Sequence, residues 1–295
     1  MDRTKAVACL IALALLAGCS GTRPIVVGSK NFTEQVLLGE IVAQHLEHRL
    51  RTPVERQLDL GGTFVAHQAL LSGQIDVYPE YSGTALTAIL KLPAGDASAT
   101  LARVQQEYAR LRLVWLPPLG FNNTFAMVVR GVDARAAKLE TLSDAARSQQ
   151  PWQIGGGYEY VDRPDGFPAL MRTYNLRLKG AVKTMDLGLL YQALEQKQVG
   201  MAAGNSTDGL LAVMDFKILK DDKGAFPPYQ ASLVTRDRSV QAHPGLREAL
   251  AELSGKFSDD QMRKLNYEVD GRHRPVADVA REFLAQAGLA GPRHP

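Results

Sequence analysis

Residues 61–84 read GGTFVAHQALLSGQIDVYPEYSGT, and the fold follows from how this stretch is parsed. Gly61 and Gly62 permit a tight turn and Thr63 suits a helix N-cap, so the spacing predicts a helix from Thr63 that ends at Gly73. A strand follows over Gln74–Tyr78. Pro79 lacks a ladder donor and biases Tyr78 toward extended backbone, so the strand is expected to stop there and hand over to a loop, Glu80-Tyr81-Ser82-Gly83-Thr84, that opens the next helix. In open α/β sheets, ligands sit beyond the carboxyl ends of the strands. The loop would offer such a crevice an aromatic face at Tyr81, a hydroxyl at Thr84 and helix amides, which suits a small ligand with an apolar cation and an anionic end. The same spacing also fits a core aromatic and a cap.

Upstream, Ile25–Gly28 reads as a buried strand, and Asn31 with Glu34 has the spacing of a capping box for a helix whose apolar stripe runs through Val36, Leu37, Ile41, Leu46 and Leu50. Lys30 then lies beside a helix N-terminus, where a cation is unfavourable unless it faces an anion. An anion-binding role weighs slightly above a solvated surface lysine. Val54–Leu60 is a second strand, and the strand–helix alternation is that of a parallel sheet with crossover helices. Downstream come a helix ending near Leu111, a strand at Leu113–Leu116, and turn chemistry over residues 117–124 that leads into the β-rich Phe125–Arg130.

Phe125 opens a second lobe. Helices are expected near Leu142–Gln149, Pro168–Tyr174 and Leu187–Lys197, and strands at Trp152–Gly155, Val182–Met185, Val199–Ala203 and, at the edge, Phe216–Leu219. Residues 221–228 turn the chain back, Tyr229–Arg236 returns as a strand, and helices near Gly245–Ser254, Ser258–Glu268 and Val276–Gln286 should pack on the first lobe. Lobe 1 is therefore assigned residues 25–122 and 230–290, and lobe 2 residues 123–229. Two lobes joined by two crossing segments make a hinge, and a cleft between them favours clamping a ligand.

Composition restricts the function classes. A chain of 295 residues with 45% hydrophobic and 22% charged residues is ordinary for a globular protein, and a net charge of +3 without a Lys/Arg stripe gives no support for a nucleic-acid partner. Gly155-Gly156-Gly157 lacks the Gly-Lys-Ser/Thr of a phosphate loop, His45 and His48 have no third metal ligand in register, and no nucleophile elbow occurs. No cofactor and no metal is expected. At the N-terminus, Arg3 and Lys5 precede the apolar run Ala6–Gly18, which has signal-peptide proportions, and Leu16-Ala17-Gly18-Cys19 resembles a bacterial lipobox. Residues 1–18 would be removed and Cys19 lipidated, with residues 19–24 as a tether. A signal cut nearby without lipid, or a buried N-terminal helix, is the alternative. Cleavage would remove Cys9 and leave Cys19 as the only thiol.

The segments VVGSKNFTEQ (26–35), LDLGGTFVAHQALLSGQIDVYPEYSGT (58–84), GFNNTFAM (120–127), NSTDG (205–209), ILKDDKGAFPPY (218–229) and LNYEVDG (265–271) resemble the glycine betaine/choline/carnitine substrate-binding proteins of bacterial ABC importers, in the same order over nearly the whole mature chain. The resemblance implies an α/β type II periplasmic-binding-protein fold that closes on a quaternary ammonium compound. It also implies no enzymatic activity, an extracytoplasmic location and delivery to a permease whose ATPase is a separate chain; a monomer is expected. A trimethylammonium group is held by aromatic faces, each worth ~0.5 to 2 kcal/mol. Carried over by motif, Tyr81, Phe125 and Tyr229 are similar to cage aromatics, Thr84 to a companion hydroxyl, and Lys30 and Arg163 to carboxylate-binding cations. Asn123 stands at a polar position that is often Asp. Asn205 departs from the pattern, because full four-aromatic cages have tyrosine there. That loss implies weaker osmolyte binding or a larger, more polar betaine such as ergothioneine. Tyr229 as a hinge packing residue, Arg163 as a surface ion pair with Asp165, and an enzyme or ligand sensor on the same fold remain the alternatives.

Overall fold

The computed structural model describes residues 23–289; the signal segment, Cys19 and most of the tether lie outside the described residues. Ten strands form two five-stranded sheets. The first takes β1 (Ile25–Gly28), β2 (Val54–Gln57), β3 (Val77–Tyr81) and β4 (Leu113–Trp115); the second takes β5 (Phe125–Arg130), β6 (Ile154–Gly156), β7 (Lys183–Thr184), β8 (Met201–Asn205) and β9 (Phe216–Leu219). The chain then returns as β10 (Ala231–Arg236) to the first sheet, whose order is β2-β1-β3-β10-β4, while the second runs β7-β6-β8-β5-β9. This is the two-lobed α/β architecture of periplasmic binding proteins.

The sheets are mixed rather than purely parallel. β1 pairs in parallel with β2 and β3, but β10 is antiparallel to both its neighbours, and in the second sheet β5 is antiparallel to β8 and β9. The reversed strand in each sheet is the first one after the chain crosses between lobes. The crossing segments pair with each other: Leu119 N donates to Ala231 O at 2.8 Å and Asn123 N to Tyr229 O at 3.1 Å. Tyr229 N donates to the side chain of Asn122 at 2.7 Å, so the two connections form one ribbon.

β3 is as long as predicted but lies three residues further along the chain and runs through Pro79. Leu233, opposite Pro79, turns its carbonyl to Leu116 N on the β4 side, so the proline nitrogen points away from β10. On its other flank β3 pairs with β1 only at Val77, and no donor is required of Pro79 there. The expected loop at 80–84 is therefore absent: Glu80 and Tyr81 belong to the strand, and helix starts at Ser82, continuing as a π-helical turn over Ala85–Ile89. The Thr63–Ser72 helix ends at Gly73 (φ 83°) as read, but its N-cap is Gly62, with Thr63 in the first turn.

One core of the first lobe lies between its sheet and the Thr33–Leu50 helix, where Leu37, Leu38, Ile41 and Leu46 meet Ile25 and Val27, and a second gathers Val26, Leu70, Tyr78, Tyr108 and Trp115. The helices Leu246–Ala251, Asp259–Asp270 and Val276–Gln286 supply Leu250, Met262 and Phe283 to the first of these clusters, which packs the C-terminal region on this lobe. The second lobe has its own clusters around Met127, Leu170 and Met201 and around Val128, Tyr191 and Leu194. His45 is buried, with Nε2 2.8 Å from Ala249 O.

Candidate functional site

Between the lobes lies a cavity of about 1030 Å³, and all eight sequence-predicted ligand residues line it. Each arrives by the end of an element. Lys30 lies two residues beyond the end of β1 and β3 delivers Tyr81, with Thr84 one turn on; the first crossing segment brings Asn123 and opens β5 at Phe125. The Tyr158–Asp162 helix ends at Arg163, β8 ends at Asn205, and the returning crossing segment supplies Tyr229.

Aromatic faces converge here. Phe125 meets Tyr229 edge-on at 5.8 Å and Tyr160 at 5.2 Å, while Phe32 stacks on Tyr81 at 6.4 Å. Two of the ring faces hold a guanidinium: Arg163 Cζ lies 5.1 Å from the Phe125 centroid and 6.0 Å from that of Tyr229. Lys30 Nζ lies 5.2 Å from the Tyr81 centroid. The rings are thus disposed as positive-charge acceptors.

Neither predicted cation stands alone. Lys30 Nζ donates to Glu80 Oε1 at 2.5 Å, and both side chains are buried. Burial pushes the lysine's pKa down against the pull of Glu80. Arg163 donates from Nε and Nη2 to Asp165 at 3.0 and 2.6 Å and from Nη2 to Thr84 Oγ1 at 3.0 Å. The Arg163–Asp165 ion pair considered for the surface forms, but in the interior. Asp165 also accepts from the Tyr229 hydroxyl at 2.7 Å. Burial opposes the guanidinium's charge, yet Asp165 holds its pKa above the ordinary value. Lys30 and Arg163 keep further N–H groups, those of Arg163 Nη1 among them, whose nearest carboxylate is Glu159 at 3.8 Å.

Several residues of the site escaped the sequence reading. Glu34 does not cap the Thr33–Leu50 helix; the N-cap is Phe32, without a side-chain cap bond. Its buried carboxylate instead accepts from the Tyr81 hydroxyl (2.6 Å) and Asn123 Nδ2 (2.9 Å) on Oε1, and from Thr207 Oγ1 (2.5 Å) and Asn266 Nδ2 (3.1 Å) on Oε2. These donors come from β3, a crossing segment, the second lobe and the Asp259–Asp270 helix. Burial pushes the Glu34 carboxyl up, opposed by the four hydrogen bonds. The available signal was its spacing: Leu37, Leu38 and Ile41 follow Glu34 on one apolar helix face.

The wall that carries Asn205 is polar. Asp208 accepts from Asn205 N (2.8 Å), Asn205 Nδ2 (3.3 Å) and the Tyr191 hydroxyl (2.6 Å), and burial raises its carboxyl to about 6. Across the cleft mouth, Glu159 of the second lobe accepts from Thr63 N (2.5 Å) and Thr63 Oγ1 (2.9 Å) at the N-terminus of the Thr63–Ser72 helix. Gly62 is fitted to that contact, since a Cβ there would lie 2.1 Å from the Glu159 carboxylate. Among the described residues no cluster of His, Cys, Asp and Glu is arranged to hold a metal.

Residues 23–286 match the family described as the substrate binding domain of ABC-type glycine betaine transport systems. The chain is 35% identical over 271 residues to the ergothioneine transport permease/ergothioneine binding protein EgtU of Helicobacter pylori (strain G27), covering 90% of this chain and 48% of that protein, so it spans about half of that relative's length. It is 36% identical over 271 residues to the carnitine transport binding protein OpuCC of Listeria monocytogenes serotype 1/2a (strain 10403S), covering 90% and 88%. A crystal structure of a glycine betaine/carnitine/choline ABC transporter superposes with a TM-score of 0.75 at 32% identity, over 90% of this chain and 99% of that one. These relatives are transport proteins rather than enzymes. With the two-lobed fold and the interlobe cavity already established, the chain belongs to the family of substrate-binding domains of ABC-type glycine betaine transport systems.

Proposed function

We propose that the protein captures a quaternary ammonium or betaine-type compound in the interlobe cavity and presents it to an ABC permease whose ATPase is a separate chain. The observation that carries this reading is the convergence of Tyr81, Phe125 and Tyr229 from one lobe, the other lobe and the hinge onto one cavity. Lys30, Thr84 and Arg163 act at the anionic end, and Asn123 and Asn205 are the polar contacts. Lobe 2 spans 123–229 and moves on the paired crossing segments; ligand that touches both lobes favours the closed form, which the permease reads. The N-terminal sequence supports cleavage before Cys19 and lipid anchoring of an extracytoplasmic monomer. Among the described residues no helix is long and apolar enough to cross a membrane.

A second reading, a receptor for a larger betaine such as ergothioneine, is favoured by the cavity itself. Its volume of about 1030 Å³ exceeds what a molecule of glycine betaine's size fills, and the Asn205–Asp208–Tyr191 wall presents polar atoms where a fourth ring would present an aromatic face. Isothermal titration with glycine betaine, choline, carnitine, proline betaine and ergothioneine tests both readings. Micromolar binding of at least one is expected, and tenfold tighter binding of ergothioneine than of the rest selects the second. Binding of unrelated amino acids with none of this panel overturns both.

A further inference from the structure

Glu34 is a buried carboxylate in the cavity wall, and every group that hydrogen-bonds to it is a neutral donor: Thr207, Tyr81, Asn123 and Asn266; the charge that couples to it, Asp208, is a like one. This separates it from Glu80 and Asp165, which face Lys30 and Arg163. Burial raises the Glu34 carboxyl, because a buried charge without an opposite charge is costly, while four donors with no acceptor aimed at it pull toward the ionised form, so a cation brought by the ligand would supply the compensation the site lacks. By turning Nδ2 toward Glu34, Asn123 and Asn266 leave their Oδ1 atoms buried without a partner among the described residues. Both asparagines line the same cavity. One stretch of wall therefore combines a carboxylate, two unpaired amide oxygens and the Tyr81 ring. The Tyr81 hydroxyl and both Asn266 Nδ2 hydrogens are committed, to Glu34 and Thr207 O, and Asn123 Nδ2 keeps one hydrogen, whereas methyl groups bearing positive charge can meet both amide oxygens through C–H···O contacts.

We propose that Glu34 is the counter-ion of the bound ligand's cationic group, with the free amide oxygens of Asn123 and Asn266 beside it. The inference rests on the quaternary ammonium reading and adds what that reading lacks: a formal negative charge in a site where position 123 carries an amide. Hydrogen bonds fix the carboxylate before the ligand arrives, so its field costs little reorganisation on binding. Its attraction is specific for charge, whereas the aromatic faces and cavity shape also favour an uncharged molecule of the same outline.

Choline and its uncharged carbon isostere 3,3-dimethyl-1-butanol separate these contributions. Affinities for both are measured by titration calorimetry on wild type, on the neutral variants E34Q and E34M, and on E34D, which retains the charge; two neutral variants keep the test open if one does not fold. The choline-to-dimethylbutanol affinity ratio is expected to fall about tenfold or more in E34Q or E34M, with dimethylbutanol binding changed less than about threefold, and to survive in E34D. Equal loss of both ligands would make Glu34 a positioning residue only and overturn the proposal, as would an unchanged ratio. Failure of choline, glycine betaine, carnitine, proline betaine and ergothioneine alike to bind wild type overturns the quaternary ammonium reading and this inference together, whereas wild-type binding with an unchanged E34Q ratio overturns the counter-ion alone.

Discussion

Charge is handled in two ways around the one cavity. On the side of Lys30 and Arg163, each cation meets a carboxylate from its own neighbourhood, Glu80 and Asp165, and the pairs are buried. On the side of Glu34 and Asp208, the carboxylates are met by hydroxyl, amide and backbone donors only. Paired charges cancel at short range and fix geometry, so the first side works chiefly as a rigid frame whose remaining N–H groups can still reach an anion. Charges solvated by dipoles alone keep their field, so the second side projects negative potential into the cavity. Sequence likeness pointed to the cations as the charged actors, and the cavity adds acids beside them that the likeness did not name.

The frame side makes the largest prediction. Replacing Lys30 by Met leaves Glu80 buried with only the Tyr78 hydroxyl and the Tyr81 amide as donors. Removing one partner of a buried pair destabilises by about 3–5 kcal/mol. K30M should therefore lose roughly that much stability in urea unfolding, and K30M/E80Q should recover most of it. If K30M is nearly neutral, the pair is not closed in solution and Lys30 is free for ligand, which would erase the contrast between the two sides.

The acid side is sharpened by pH. Asp208 has its carboxyl raised to about 6 by burial, with Glu34 pushing in the same direction and the Tyr191 and Asn205 bonds pulling it back. The folded state thus holds the proton more tightly than the unfolded chain. The stability attached to that proton is fully present below the unfolded value and is lost as pH rises to about 6. Relative to D208N, the wild type should lose about 2 kcal/mol between pH 4 and pH 7 in urea unfolding. A flat difference over that range would show that the Asp208 carboxyl is far better solvated than its surroundings imply.

Much of this was legible in the chain, and the failures have physical causes. The alternation of strand and helix gave both lobes because apolar period and turn residues are local properties. The reversal of β5 and β10 is not local; it follows from two crossing segments that must pair with each other. Pro79 was read as a strand end because the rule counts a missing donor without knowing which flank is unpaired. Arg163 and Asp165 are two residues apart, so their pairing was visible, but only the closed geometry buries them under Tyr229. Glu34 was the legible residue not read: a capping spacing explained it locally, while its place on the face of Leu37, Leu38 and Ile41 marked it for the interior. Thr207 and Asn266, far along the chain, could be joined to it only in three dimensions.

Glu159 supplies the smallest effect and tests whether the two sides of the cavity act together. Its carboxylate belongs to the second lobe, and both of its acceptor bonds are to Thr63 of the first, at the positive end of a ten-residue helix. The contact exists only when the lobes are close, so its free energy goes entirely into the closed state. With the side chain 38% exposed, water screens the charge. A value of about 1 kcal/mol is appropriate, equivalent to roughly a fivefold shift in the open–closed equilibrium. E159Q should then give a more expanded ligand-free form by small-angle X-ray scattering and bind ligand a few-fold more weakly, with little change in unfolding stability because each lobe keeps its own core. Tighter binding of carboxylate-bearing ligands in E159Q, with choline unchanged, would carry a different lesson: Glu159, 3.8 Å from Arg163 Nη1, would be competing with the ligand's own carboxylate for the cation side rather than drawing the lobes together.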